Sequence, residues 1–244
     1  MIDTAIPEIR FALHAVREAA MLVREVQQEM VTPALTKADR SPVTVADFAS
    51  QAVIAWLLSE AFPGDVLVAE EDAAELRTES GRINLERVTG FVQRRIPNAT
   101  PGAVCEWIDR GAGESGSRFW TLDPIDGTKG FLRCDQYAVA LALVVDGIVT
   151  LGVLGCPQLG DAHHPHQGGP GSLLVGAAGQ GAWTAALDSP GEYTQLSVSD
   201  NSNPARARIL RSVESGHTNI SQVDLFARSL GVEADPLRLD SQAK

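Results

Sequence analysis

The residues of this 244-residue chain that are best suited to chemistry are two aspartates three positions apart, Asp123 and Asp126. They follow an apolar run, and Pro124 and Gly127 would stiffen and open a turn around them. In such a turn, both carboxylates and the carbonyl oxygen of Ile125 can converge on one point. Because hard oxygen atoms are the ligands that Mg²⁺ prefers, the segment predicts a magnesium site. The alternative is an ordinary polar turn, since Asp-Pro and Asp-Gly are common turn dipeptides.

A second group of acids, Glu70-Glu71-Asp72, directly follows a short apolar run at 66–69. A strand over that run would carry the three carboxylates at its C-terminal end. A site that transfers phosphoryl groups with two metal ions needs such a second acid source, because the paired ions hold the attacking and leaving oxygens. A solvated acidic turn is the competing interpretation.

Asp47 and Thr128 lie at the starts of two predicted helices. The free backbone N–H groups of a helix that begins at Thr128 would face the aspartates and could hold a phosphate oxygen. Asp47 follows Thr44 by three residues, which is also the spacing of a capping box, and an acid there suits the helix dipole. From the residues alone, a role in local structure and a role in chemistry both remain open for Asp47.

The elements that must position these residues follow from the spacing of the apolar side chains. Helices are predicted over residues 6–30, about 45–62 and about 85–95. Strands are predicted over 119–122, 138–145 and 148–154, and Asp146-Gly147 between the last two indicates a tight hairpin. A second hairpin pairs 173–175 with 182–184. After a polar linker near 201–204, a strand at 209–212, a helix at 219–230 and a strand from 237 predict an α/β unit with parallel strands.

The composition excludes several classes of protein. With 44% hydrophobic residues the chain is not wholly disordered, and a net charge of −11 without any basic tract makes nucleic-acid polymers poor partners. No run reaches the roughly 18 apolar residues that cross a bilayer, and the N-terminus lacks the features of a secretory signal. Three cysteines without ligand spacing favour a reducing compartment. These features predict a cytoplasmic protein that does not associate with membranes.

Longer motifs around these residues resemble a known family. They are SPVTVAD (41–47), AEED (69–72), WTLDPIDGTKGFLR (120–133), GQGAW (179–183), HTN (217–219) and LDSQAK (239–244). The chain is similar to the lithium-sensitive, magnesium-dependent phosphatases that include the inositol monophosphatases, and within them to the 3′(2′),5′-bisphosphate nucleotidases. The extension Lys129-Gly130-Phe131 favours the nucleotidases, because inositol phosphatases usually have Asn after the Thr.

The resemblance implies a fold of the α/β (α+β) class, layered α-β-α-β-α, and a site that uses two or three Mg²⁺ ions. It implies that the phosphate is removed from 3′-phosphoadenosine 5′-phosphate, or from its sulfated relative, by metal-activated water. The metal ligands would be Glu70, Asp123, Asp126 and the Ile125 carbonyl. Thr128, oriented by Asp47, would position the attacking water and help to deprotonate it.

The resemblance also implies contacts with substrate, which is expected to be a small phosphorylated nucleotide bound by a monomeric protein. The residues concerned are Gly127, Thr128, Glu214, His217, Asp240, Ser241 and Lys244. Two alternatives are an inositol or sugar monophosphatase, and a shortened protein that binds a phosphorylated ligand without turning it over.

The family also has a Trp-Asp-x-x-Ala-Gly motif beyond the LDSQAK segment, whose Asp is a further metal ligand. The four tryptophans of this chain are followed by Leu, Ile, Thr and Thr, so none of them matches that motif. We therefore expect a metal-binding α+β domain over 1–198. Residues 199–244 would then be the start of a truncated C-terminal α/β domain that contacts the nucleotide.

Overall fold

Two long helices, α1 (Pro7–Met30) and α2 (Ser41–Ala61), open the fold and pack against each other. The structure is a computed structural model, and it describes residues 1–31, 41–189, 191–213, 220–239 and 241. The first helix agrees with its prediction, because proline suits a first helical turn and the apolar residues recur every three or four positions. The remaining helices in the described residues are α3 (Arg82–Val92), α4 (Pro101–Asp109), α5 (Thr128–Leu132) and α6 (Ile220–Ser229).

Within the described ranges, seven strands form one mixed sheet in the order β1-β2-β3-β4-β7-β8-β9. Their bounds are β1 (Val66–Ala69), β2 (Arg118–Asp126), β3 (Ala138–Val145), β4 (Ile148–Cys156), β7 (Ser172–Ala177), β8 (Gly181–Ala186) and β9 (Thr194–Leu196). β1 and β2 run parallel, and every other neighbouring pair is antiparallel. Asp146 and Gly147 both have positive φ, 50° and 77°, as the predicted tight turn between β3 and β4 requires.

Two small sheets stand apart from the large one. The first joins β5 (Leu159–Gly160) to β6 (His164–Pro165) in the long loop before β7. The second joins β10 (Leu210–Arg211) to β11 (Leu237–Arg238), and these strands are parallel with α6 between them. The expected α/β unit near the C-terminus is therefore confirmed, while the division of the chain at residue 198 stays a prediction.

The two faces of the large sheet have different surroundings. α1 contacts β3, β4 and β7, and α2 contacts β2, so the face that carries Trp120 and Leu141 is buried beneath helices. On the opposite face, Thr121, Asp123 and Leu154 belong to the lining of a shallow cavity of about 400 Å³. Because side chains alternate along a strand, one set of residues builds the core and the intervening set faces this cavity.

The start of α2 differs from the sequence-based expectation. The helix begins at Ser41 rather than near Val45, with Pro42 in its first turn, where proline is favoured. Thr44 therefore lies inside the helix, and the capping box proposed for Thr44 and Asp47 is wrong. Among the helices of the described residues, only α2 is long and apolar enough to cross a membrane, and 72% of its apolar window is buried inside the protein, as in a core helix.

The region between β1 and β2 was the least predictable from sequence. The helix expected at 85–95 lies three residues earlier, and α4 was not anticipated. The missed signal is local, because Thr100 caps α4 by accepting a hydrogen bond from the Ala103 N–H over 3.3 Å, and Pro101 follows at a favoured position. β9 was also missed, since it is only three residues long and mostly exposed.

Candidate functional site

Glu70 directly follows β1, and Asp123 lies on β2, the parallel strand next to it. Ala69 of β1 pairs with Leu122 of β2, so the next residue of each strand is an acid at the same height. The acidic turn, as we call Glu70-Glu71-Asp72, therefore lies beside the aspartate segment, although about 50 residues separate them in the sequence. This parallel register brings the two predicted acid sources together.

A β-bulge places both aspartates of β2 on one face of the sheet. Asp123 pairs with Ala140 and Asp126 pairs with Ala138, so three steps along β2 match two steps along β3. Residues three apart on a regular strand point to opposite faces, and one extra residue reverses that alternation. Because Ala138 and Ala140 share a face, Asp123 and Asp126 share it too.

The sequence suggested a turn at these aspartates, but the strand continues to Asp126 and its bulge takes the place of the turn. The chain then reverses at Gly127, whose φ of 97° favours glycine. As expected, a helix begins at Thr128, although α5 is only five residues long. Ile125 is buried within the bulge, between the two aspartates.

Asp47 is a buried acid among other acids. Its side chain is 7% exposed. Burial, followed by the charges of Glu71 and Glu70, raises the pKa of Asp47 well above its usual value. Asp47 is therefore close enough to the acidic turn for the groups to influence each other's ionisation. Thr128 is exposed and makes no hydrogen bond to Asp47 in the described residues, so its orientation by Asp47 stays a prediction.

Asp123 has the same kind of environment. Burial first, and then the charges of Asp126 and Glu70, raise the pKa of Asp123 to about 6. Its Oδ1 atom is buried and has no hydrogen-bond partner among the described residues. Burying a polar atom without a partner is costly, so such an atom often indicates a missing ligand.

These residues fit a divalent cation. Carboxylate oxygens and one carbonyl oxygen form a hard donor set, and a cation would supply the partner that Asp123 Oδ1 lacks. In the part of the chain that the structure describes, no three His, Cys, Asp or Glu side chains form a ready ligand group, so the acids are neighbours without yet converging.

Two residues of α2 that the motifs did not single out as functional hold both acid-bearing segments. Ser50 Oγ donates a hydrogen bond to the Pro124 carbonyl in the bulge over 3.2 Å, and Gln51 bonds to the backbone of Glu71. Both side chains are fully buried. With Asp47, they follow the i, i+3, i+4 spacing of one helix face, which is the sequence signal that could have identified them.

Ser241 is the one predicted substrate contact near the C-terminus that the described residues include. It is buried and adopts a positive φ of 64°. A Cβ atom placed on Gly127 would lie 3.1 Å from the Ser241 Cβ, so the two residues are in close contact. Glu214, His217, Asp240 and Lys244 lie outside the described residues.

Known proteins are similar to this chain in sequence. The profile of the inositol monophosphatase family matches residues 7–244. The chain is 37% identical to 3′(2′),5′-bisphosphate nucleotidase 2 of Candida albicans, over 97% of this chain and 74% of that protein. It is 38% identical to 3′(2′),5′-bisphosphate nucleotidase 1 of Arabidopsis thaliana, over 97% of this chain and 73% of that protein.

Solved structures share the fold at lower identity. SuhB of Mycobacterium tuberculosis superposes with a TM-score of 0.57 and 21% identity, covering 94% of this chain and 67% of that one. CysQ of Bacteroides thetaiotaomicron, described as a bacterial member of the inositol monophosphatase family, superposes with a TM-score of 0.55 and 17% identity, covering 95% and 72%. At these identities the structures establish the fold alone.

Proposed function

Because the chain belongs to the inositol monophosphatase family, we propose that it is a magnesium-dependent hydrolase of phosphate monoesters. Its substrate would be 3′-phosphoadenosine 5′-phosphate, from which it removes the 3′(2′)-phosphate, with the sulfated form as a further substrate. The nucleotide is favoured over inositol phosphates because the relatives named above, at 37% and 38% identity, are called bisphosphate nucleotidases.

The observation that carries the proposal is the buried, unpartnered Oδ1 of Asp123 beside Asp126 and Glu70. A cluster of acids is costly unless a cation offsets the repulsion, and a chain with a net charge of −11 repels a phosphorylated substrate unless a cation supplies positive charge at the site. A divalent cation meets both needs.

In this proposal the site holds two or three Mg²⁺ ions, and their ligands are Glu70, Asp123, Asp126 and the Ile125 carbonyl. When bound, Mg²⁺ supplies positive charge that stabilises the phosphoryl oxygens during transfer. The protein's own task is to hold these oxygen donors at the ends of β1 and β2, where the parallel register and the bulge bring them together.

Thr128 and Asp47 handle the attacking water in this proposal. The Thr128 hydroxyl holds the water, and the Asp47 carboxylate accepts a proton through that hydroxyl. Burial among acids raises the pKa of Asp47, which makes its ionised form a stronger base than an ordinary aspartate. α2 contacts α5, so the two elements that carry these residues are packed together.

The substrate contacts are assigned around the same point. Gly127 has no side chain, so a phosphate can approach its backbone, and Ser241 lies against it. Glu214, His217, Asp240 and Lys244 are assigned to the nucleotide on the motif alone. We also propose that the protein acts as a monomer in the cytoplasm, which light scattering of the purified protein and imaging of a tagged chain would check.

Phosphate release from the purified 244-residue chain tests the proposal. The wild-type protein should hydrolyse 3′-phosphoadenosine 5′-phosphate faster than inositol 1-phosphate with Mg²⁺, lose activity with a chelator and be inhibited by Li⁺. Asp123→Asn should abolish release without unfolding the chain. Asp146→Asn is the matched control, because Asp146 is exposed in the β3–β4 turn and asparagine tolerates its positive φ.

Three outcomes would contradict parts of this assignment. An active, metal-responsive Asp123→Asn protein would remove the metal role of that residue. Faster hydrolysis of inositol 1-phosphate would make the chain an inositol phosphatase. Tight nucleotide binding by a chain that releases no phosphate would indicate a non-catalytic binding protein.

A further inference from the structure

Gln51 is a fully buried side chain of α2 whose polar atoms all bond to main chain. Its Nε2 donates to the Glu71 carbonyl over 2.6 Å and to the Ile108 carbonyl over 2.7 Å. Its Oε1 accepts a hydrogen bond from the Glu71 N–H over 3.1 Å. One amide therefore binds both backbone polar groups of Glu71 and ties them to the end of α4.

The acidic turn depends on such contacts, because β1 ends at Ala69 and its pairing with β2, as the described residues show it, stops there. On either side of Glu71, the Ala69 N–H donates to the Gly111 carbonyl over 2.8 Å, and the Ala73 N–H donates to Asp109 Oδ1 over 2.8 Å. The last residue of α4 and the loop after it thus hold the two flanks of the turn, and Gln51 holds its centre.

We propose that Gln51 is a positioning residue for the cation site. By binding both polar groups of Glu71, it sets the backbone direction of the acidic turn, and with it the Glu70 carboxylate beside Asp123. This inference rests on the proposed function, because it assumes that the acids hold a cation.

The chemistry of the side chain supports this role. A glutamine at this place can donate two hydrogen bonds and accept one without adding charge to the acids nearby. A glutamate would point a carboxylate at two carbonyl oxygens, and a leucine would leave the Glu71 N–H and both carbonyls without their partner. The competing view is that Gln51 only fills the core between α2 and α4.

Three variants separate positioning from packing. Gln51→Leu keeps the volume and removes every hydrogen bond. Gln51→Glu keeps the shape and removes the donor. Gly111→Ala does not change residue 51, but it displaces the Gln51 amide. The new Cβ would lie 2.4 Å from Gln51 Nε2 and 2.9 Å from the Ala69 Cβ, so the amide must move.

Ser172→Ala is the matched control. Ser172 is 1% exposed, and its Oγ donates to the Leu159 carbonyl over 2.8 Å and accepts from the Ala162 N–H over 2.9 Å. It therefore makes the same kind of main-chain contacts, on β7, two strands beyond β3 in the sheet. Its loss should lower the thermal midpoint without changing cation binding.

The measurement is Mn²⁺ binding by electron paramagnetic resonance, together with kcat and KM for phosphate release at several Mg²⁺ concentrations. Gln51→Leu, Gln51→Glu and Gly111→Ala should each weaken cation binding, about 10- to 100-fold for Gln51→Leu, as changes behind metal ligands commonly do. KM for the nucleotide at saturating Mg²⁺ should stay near the wild-type value.

The outcomes are distinguishable. Wild-type cation affinity in a folded Gln51→Leu protein, or tighter binding in Gln51→Glu, would overturn the inference while leaving the proposed function intact. If Gln51→Leu does not fold, Gln51→Glu and Gly111→Ala decide. A wild-type chain that binds no cation and releases no phosphate would instead overturn the proposed function.

Discussion

The Ser50 hydroxyl donates a hydrogen bond to the Pro124 carbonyl, which joins the middle of α2 to the bulge between Asp123 and Asp126. Asp47, Ser50 and Gln51 are buried on one face of α2, which packs against β2. The helix therefore does more than cover the sheet, because its Ser50 and Gln51 hydrogen-bond to the backbone of both segments that carry the acids.

Ser50→Ala should lower the free energy of unfolding by about 1–2 kcal/mol, because it leaves the buried Pro124 carbonyl without its partner. Urea unfolding monitored by circular dichroism measures the change. Ser59→Ala is the control, since Ser59 Oγ bonds to the Trp56 carbonyl of its own helix over 2.6 Å and is only partly buried. Equal losses of unfolding free energy in both variants would mean that the hydrogen bond to the bulge stabilises the fold no more than a hydrogen bond within the helix does.

The stability of the cation-free protein should depend on pH through Asp123. Its pKa is raised from 3.8 to about 6, so the folded state holds this proton more tightly than the unfolded state does. The resulting stabilisation is complete below about pH 4 and is lost as the pH rises through about 6. Asp123→Asn should therefore be more stable than wild type at neutral pH, by about 1 kcal/mol given partial screening by water.

Urea unfolding with a chelator, at about pH 4 and about pH 7, checks that prediction, with Asp146→Asn as the control. With Mg²⁺ added at neutral pH, wild type should instead be more stable than Asp123→Asn. The reason is that the cation binds the ionised carboxylates of the folded protein. If the difference between Asp123→Asn and wild type does not change with pH, the acid cluster does not perturb Asp123.

Thr128→Ala should lower kcat by about 100-fold or more with little change in KM, because the proposed hydroxyl acts on the water rather than on the nucleotide. Thr128→Ser keeps the hydroxyl and should retain most of the activity. Steady-state phosphate release measures both. A Thr128→Ala protein with near wild-type kcat would show that another group holds the water.

Gly127→Ala should destabilise the fold and reduce activity together. Its φ of 97° is strained for alanine, and the new Cβ would lie 3.1 Å from the Ser241 Cβ and 3.3 Å from the Gln136 carbonyl. The expected loss is about 2 kcal/mol, from backbone strain plus contact. Thermal unfolding and nucleotide hydrolysis are the measurements.

The control for Gly127 is Gly147→Ala. Gly147 also has a positive φ, 77°, but a Cβ there meets nothing within 4 Å. It should therefore lose only the strain, about 1 kcal/mol, and keep its activity. If both variants lose the same stability, the contact with Ser241 contributes nothing.

Much of the fold was predictable from local patterns. The first helix, the strands around Asp146-Gly147 and the parallel unit near the C-terminus all appeared where the spacing of apolar residues placed them. These predictions succeeded because periodicity and tight-turn residues act over a few neighbouring positions. α4 and the true start of α2 were missed although Thr100-Pro101 and Ser41-Pro42 carried usable signals.

The sequence by itself determined which residues could do chemistry, since the acids at 70–72, Asp123 and Asp126 were evident from their types and spacing. Only the tertiary structure decided that they are neighbours. The parallel register of β1 and β2 and the bulge in β2 are relationships between separate segments. The contacts of Ser50 and Gln51 join residues 74 and 20 positions apart, and no local pattern specifies such pairs. They form because burying the apolar faces of α1 and α2 on the sheet places these polar groups together, where each needs a partner.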